Sequence, residues 1–335
     1  MPNGLHCCAV SAARQLPADA ALGIWAALSL VAAFYGTWLG LGGRPFAVTL
    51  AVFAMLLAGQ ILFAAGTIRE RTTEALTVQF SAVALPFLPF LAYLIYAAGT
   101  NTFAWWRAGL CAGYVLAPAL VVARGRHRRF GTWEDYAAVL LLWLPVEFHW
   151  LPHLWPYPNE RLSHILTVLL AVNAAIVVFL LVRRLEGAGY TLAWGRGWGW
   201  TVGLNFLIFA AIAIPLGQAT GFIRFDLSYE RFQALPLAAL GTFLFTAWPE
   251  ELLFRGLLQN LVSRTFSSTL AGWLVASVIF GLAHLNNPPF PNWRYVLMAT
   301  IAGLFYGRAW MKTGSIFASS LVHTLVNVFW HLLFR

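Results

Sequence analysis

The stretch "AWPEELLFRG", residues 247–256, sets two adjacent carboxylates, Glu250 and Glu251, and a guanidinium, Arg255, among leucine, phenylalanine and tryptophan. Two more polar stretches follow. His284 closes "FGLAH", and His323 and Asn327 lie in "SSLVHTLVN". An ionisable group within a membrane segment costs roughly 2.5–3.5 kcal/mol on insertion scales, so such groups mark function. Together these side chains suffice for adding water to an amide. A carboxylate in an apolar site serves as a general base. One histidine orients the water, and a second histidine with an amide N–H stabilises the oxyanion. The same groups offer a second chemistry, because Glu250, His284 and His323 could serve as zinc ligands.

Helical spacing brings these groups together. Glu251 and Arg255 are four apart and share a face, as do His323 and Asn327. Glu250 is turned by about 100° from Glu251. One carboxylate is therefore free to pair with the arginine while the other points elsewhere. His284 sits at the end of its own segment, just before the breaker "NNPP". Three helices can thus aim a carboxylate, two imidazoles and an amide at one point.

The elements that carry them belong to a membrane protein. Of 335 residues, 60% are hydrophobic and 10% charged, against roughly 25% charged in an ordinary soluble domain. About eleven apolar segments approach or reach membrane-spanning length, near 20–39, 46–66, 79–98, 103–122, 135–149, 163–182, 199–217, 235–249, 269–285, 295–310 and 315–334. The expected fold is all-α, a polytopic transmembrane helical bundle of about 8–11 membrane segments. The first segment reads as a retained span, since no cleavage site follows it.

The net charge of +9 lies in short loops rather than in a basic stripe, so it speaks for topology and against nucleic acid. Arg69 and Arg71, then Arg124, Arg126, Arg128 and Arg129, then Arg183 and Arg184, then Arg264, then Arg308 and Lys312 all fall on even-numbered connections. The expectation is a multi-pass protein of a bacterial plasma membrane with its N-terminus in the cytoplasm. A soft boundary in "RRLEGAGYTLAWGRGWGW" separates a membrane region of unknown role, residues 1–195, from residues 196–335, which carry the chemistry.

Three cysteines, Cys7, Cys8 and Cys111, have neither CxxC nor metal-ligand spacing. Cys7 and Cys8 precede the first span, where lipidation is conceivable. A second polar cluster, Glu147, His149 and His153 between Pro145 and Pro152, reads as an interfacial segment.

As a set, the motifs resemble the CPBP family of intramembrane proteases, also called the CAAX prenyl protease or Abi family. The family pattern is E-E-x-x-x-R, F-x-x-x-H and H-x-x-x-N or D. It is met in order by Glu250, Glu251 and Arg255, by Phe280 and His284, and by His323 and Asn327. The resemblance covers about residues 235–330. It implies glutamate-type endoproteolysis: Glu250 activates water with His284, and His323 and Asn327 stabilise the oxyanion. Glu251 and Arg255 are then a supporting structural pair. It implies no cofactor, with Zn2+ as the alternative, and a membrane protein or a prenylated or other peptide substrate met in the lipid bilayer. The zinc-protease H-E-x-x-H, the aspartyl G-x-G-D and the rhomboid G-x-S-G are absent.

Two other functional classes compete with an endopeptidase. Buried Glu and His also line proton and ion paths in transporters, though no repeat symmetry is present and the charges cluster at one end. A non-catalytic immunity or scaffold protein could use the same fold, yet no motif position is lost here.

Overall fold

In the computed structural model, which describes residues 16–334, the apolar runs are helices. The chain is all-α: among the described residues there is no strand, only an isolated bridge between Phe225 and Phe334. Seven helices are long and apolar enough to cross a membrane, with Thr269–Leu282 a shorter apolar helix. Cys7 and Cys8 lie outside the described residues.

The chain divides into two compact units, residues 16–186 and residues 187–335. The first contains α1 (Ala18–Trp38), α2 (Gly43–Leu62), α3 (Gly66–Ala75), α4 (Val78–Gly99), α5 (Trp105–Arg124), α6 (Trp133–Glu147) and α7 (Glu160–Ala175), which continues as a π-helix over Ile176–Val182. At the start of α6, Asp135 accepts from the backbone N–H groups of Gly131 and Thr132, at 2.8 and 3.2 Å. Asp135 also holds Arg183, at 2.5 and 3.0 Å. Arg183, buried, donates to the carbonyls of Arg126, Arg128 and Arg129, so one cation ties down the basic loop. Glu147, of the second polar cluster, accepts from Trp143 Nε1 at 3.2 Å. Cys111 is a buried free thiol.

The second unit contains α8 (Trp198–Ala219), α9 (Tyr229–Thr242), a π-helix over Phe243–Ala247, α10 (Trp248–Glu251), a second π-helix over Leu252–Gln259, α11 (Asn260–Thr265), α12 (Thr269–Leu282), α13 (Trp293–Thr313) and α14 (Ile316–Leu333). From α9 to α11 these run on as one continuous helical path. Sequence spacing predicts plain α-helix there, and the ladder departs from it on either side of the carboxylates. Pro249 offers no N–H to the turn before it, which is where the first π-helix lies. π-turns inside α-helices occur mostly as short insertions and often at functional sites.

Local signals bound the other elements. Asn292 caps α13 by accepting from Tyr295 N at 3.0 Å. Gly314, left-handed at φ +65°, ends it. Ser268 caps α12. At the other end of α14, Arg231 pairs with Asp226 and donates to the carbonyls of His331 and Phe334, fastening the start of α9 to the end of α14.

Candidate active site

Glycine lets the helices of the site approach. A Cβ on Gly303 of α13 would lie 3.1 Å from Ser277 Cα of α12 and 3.3 Å from the Arg255 guanidinium. One on Gly281 would lie 1.9 Å from Thr300 Oγ1. With neither Cβ present, α12 and α13 pack backbone to backbone, and Arg255 is enclosed beside them.

Arg255 is fully buried, as is Glu251. Arg255 Nε lies 3.2 Å from Glu251 Oε2. The N–H is not aimed along that line, so the contact is a charge pair rather than an aligned hydrogen bond. A terminal guanidinium N–H donates to Gly303 O at 3.0 Å. The guanidinium carbon stands 4.6 Å from the Phe280 ring centre and 5.4 Å from that of Tyr306. Aromatic faces on this scale favour a desolvated cation. Phe280 of the F-x-x-x-H motif is thus a wall for the arginine.

Glu251 is saturated. Besides Arg255, its Oε2 receives the Ser319 hydroxyl at 2.5 Å. Its Oε1 lies 2.9 Å from His323 Nδ1. A carboxylate only accepts, so Nδ1 carries the proton and donates.

Glu250 is the opposite case. Its side chain is 33% exposed. Its Oε2 is buried and has no hydrogen-bond partner. That oxygen lies 3.8 Å from His323 Nε2. His323 therefore stands between the two carboxylates, with one nitrogen for each.

His284 is half-buried, and its Nδ1 donates to Phe280 O at 2.8 Å. A carbonyl cannot donate, so in the neutral ring Nε2 holds a lone pair and is free to accept. Tyr295 packs on the ring at 4.7 Å between centres. Asn327, one turn beyond His323, is half-buried, and its side-chain amide makes no hydrogen bond among the described residues.

The sequence grouped Glu250 with His284 and His323 with Asn327. The structure gathers Glu250, Glu251, Arg255 and His323 into one connected set, holds His284 against Phe280 and Tyr295, and leaves the Asn327 amide uncommitted. Two residues at the site escaped the sequence reading. Ser319 touches Glu251, and Tyr306 lies flat on His323, with ring centres 4.4 Å apart and planes 16° apart. Ser319 did carry a signal, since it precedes His323 by four and so shares its helical face. As placed, Glu250, His284 and His323 do not form a set able to hold a metal: no cluster of three such ligands occurs among the described residues.

Residues 232–329 match the family model described as Rce1-like, type II CAAX prenyl endopeptidase. The segment belongs to the CAAX prenyl protease family. The CAAX protease segment spans every residue of the three motifs, from Glu250 to Asn327, and lies within the second unit. With seven apolar helices of spanning length, the chain is an integral, multi-pass membrane protein. No curated protein and no solved structure matches it.

Proposed function

We propose that the CAAX protease segment is an intramembrane endopeptidase in which Glu250 activates water against a peptide carbonyl. The observation that carries this reading is the asymmetry of the two carboxylates. Glu251 is held by Arg255, Ser319 and His323. Glu250 keeps an unpartnered oxygen on a side chain that solvent reaches. Only a carboxylate with a free lone pair and access to water can serve as the base.

In this reading a water donates one O–H to Glu250 and the other to His284 Nε2, which is free to accept. The water oxygen attacks the carbonyl carbon as Glu250 takes its proton. The resulting oxyanion is met by the Asn327 amide and by His323. Because Nδ1–H is committed to Glu251, His323 donates to it only through a protonated Nε2. The proton from Glu250 passes to the leaving nitrogen, the C–N bond breaks, and a carboxylate and an amine result.

The reaction proposed needs no metal, and the substrate is a membrane protein or peptide presented in the bilayer, prenylated or not. We further propose the orientation given by the arginine-bearing loops, with the N-terminus in a bacterial cytoplasm, and an accessory role for residues 1–195. Nucleic acid has no part.

The test is hydrolysis itself. Purified protein in liposomes is given a transmembrane peptide library in H2¹⁸O, and products are sequenced by mass spectrometry. A new C-terminus carrying one ¹⁸O, absent with Glu250→Gln, is the expected outcome. Fragments without label, or equal cleavage by the variant, would sink the mechanism.

A further inference from the structure

We infer that Ser319 and Tyr306 form a positioning frame that holds the resting, neutral His323 in the tautomer protonated at Nδ1, so that Nε2, on the side of Glu250, is the nitrogen that must gain a proton before it meets the oxyanion. The inference rests on the catalytic reading above and extends it to two residues outside the three family motifs.

His323 sits between two acceptors, Glu251 Oε1 at 2.9 Å from Nδ1 and Glu250 Oε2 at 3.8 Å from Nε2. A neutral imidazole has one N–H to give, and the two carboxylates compete for it. Something must decide which nitrogen holds the proton.

Ser319 decides it on the carboxylate side. Its hydroxyl lies 2.5 Å from Glu251 Oε2 and 2.9 Å from Tyr306 O. Having a single proton, it gives its stronger bond to the charged acceptor. Oε2 is then claimed by Ser319 and Arg255 together, and Oε1 is left facing the imidazole. Without the hydroxyl, Arg255 alone would hold the group, through a contact that is not an aligned hydrogen bond.

Tyr306 decides it on the ring side. Its ring stacks on His323, while Phe280 meets the same imidazole edge-on, at 5.7 Å and 89°. The stack fixes the plane of the imidazole, and the Glu251 contact fixes which edge of it turns toward that carboxylate. Ser319 is completely buried, and Tyr306 and His323 nearly so, at 1% and 2% exposure. Water cannot replace a lost hydroxyl there without new space.

The test uses the full-length protein in liposomes, labelled with ¹⁵N-histidine. His323 signals are found by difference from His323→Gln, and their shifts report which ring nitrogen bears the proton. The wild type is expected to be protonated at Nδ1. Ser319→Ala should mix the tautomers and lower kcat by about 10–100-fold with KM little changed. That is less than the roughly 10⁴-fold cost of neutralising an orienting carboxylate itself. Ser319→Thr, which keeps the hydroxyl, should restore the Nδ1 signal. Tyr306→Phe keeps both stack and carbonyl and should keep the Nδ1 signal, whereas Tyr306→Leu should mix the tautomers as Ser319→Ala does. If Ser319→Ala fails to fold, the two Tyr306 variants decide alone. An unchanged Nδ1-protonated signal in the folded Ser319→Ala and Tyr306→Leu proteins overturns the frame. Absence of cleavage by the wild type overturns the protease reading instead, because the spectrum reads the tautomer without any substrate.

Discussion

Glu251 and His323 lie 72 positions apart and meet at 2.9 Å, carboxylate to Nδ1, in a fully enclosed site. The carboxylate next door, on Glu250, has an oxygen with no partner. Adjacent residues of identical chemistry thus differ in what they can do. Glu251 is surrounded by an arginine, a serine and an imidazole, so its lone pairs are spent on structure. Glu250 faces the same imidazole across a longer gap and has one oxygen that no protein group claims.

This difference predicts a split between two like substitutions. Glu250→Gln should abolish cleavage and leave the thermal midpoint near wild type, because the native oxygen has no bond to lose. Glu251→Gln leaves Arg255 buried without its paired carboxylate. Breaking one side of a buried pair costs about 3–5 kcal/mol, so this variant should unfold earlier as well as lose activity. Thermal melting in detergent beside a cleavage assay reads both effects. Equal stability of the two variants would contradict the charge-pair account.

Gly303 makes a second prediction, on packing alone. Its missing Cβ leaves room for Ser277 and for the Arg255 guanidinium. Gly303→Ala should cost about 1–3 kcal/mol through overpacking, and should reduce turnover because Arg255 must move. Gly241→Ala is the control, since a Cβ there meets nothing within 4 Å. A Gly303→Ala protein as stable and active as the control would mean that α13 can shift freely.

The third prediction concerns metal. Chelated, purified protein should keep its activity, with less than about one zinc per chain by elemental analysis. Stoichiometric zinc that leaves and returns together with activity would instead make Glu250, His284 and His323 ligands, and would require them to gather into a set that they do not form here.

The motif residues were legible in the sequence because charges and imidazoles stand out against leucine and phenylalanine. All-α architecture followed from the same apolar background. Three features did not show. The α-helical angle between Glu250 and Glu251 assumed an unbroken ladder, but π-helices flank the short α10 on both sides. Ladder shifts of that kind are settled by packing and by Pro249, with no period in the sequence to announce them. Ser319 and Tyr306 passed as ordinary residues of membrane helices, since nothing in their own type points to a role. Arg183 counts in the sequence as a loop cation, and its pairing with Asp135, 48 positions away, does not show there. Long-range pairing of this sort leaves no local trace.

Asn327 supplies the last prediction, which also separates a protease from a transporter. Its amide lies one helical turn beyond His323 and is spent on no protein partner among the described residues. In the mechanism proposed above, this donor stabilises the oxyanion more than the ground-state carbonyl. Losing one such donor typically costs roughly 10²–10³ in turnover, about 2.7–4 kcal/mol. Asn327→Ala should therefore lower kcat by that factor while KM stays near wild type. Stability should hardly change, because no hydrogen bond within the protein is broken. Asn327→Asp should keep part of the activity where a protonated acid can donate in place of the amide. In a transporter the same substitutions would alter ion coupling or substrate affinity, and no peptide bond would be cut. Steady-state cleavage and ion flux, measured on the same proteoliposomes, separate the cases. Unchanged turnover in Asn327→Ala would remove the amide from the mechanism, and flux without product from the wild type would remove the protease.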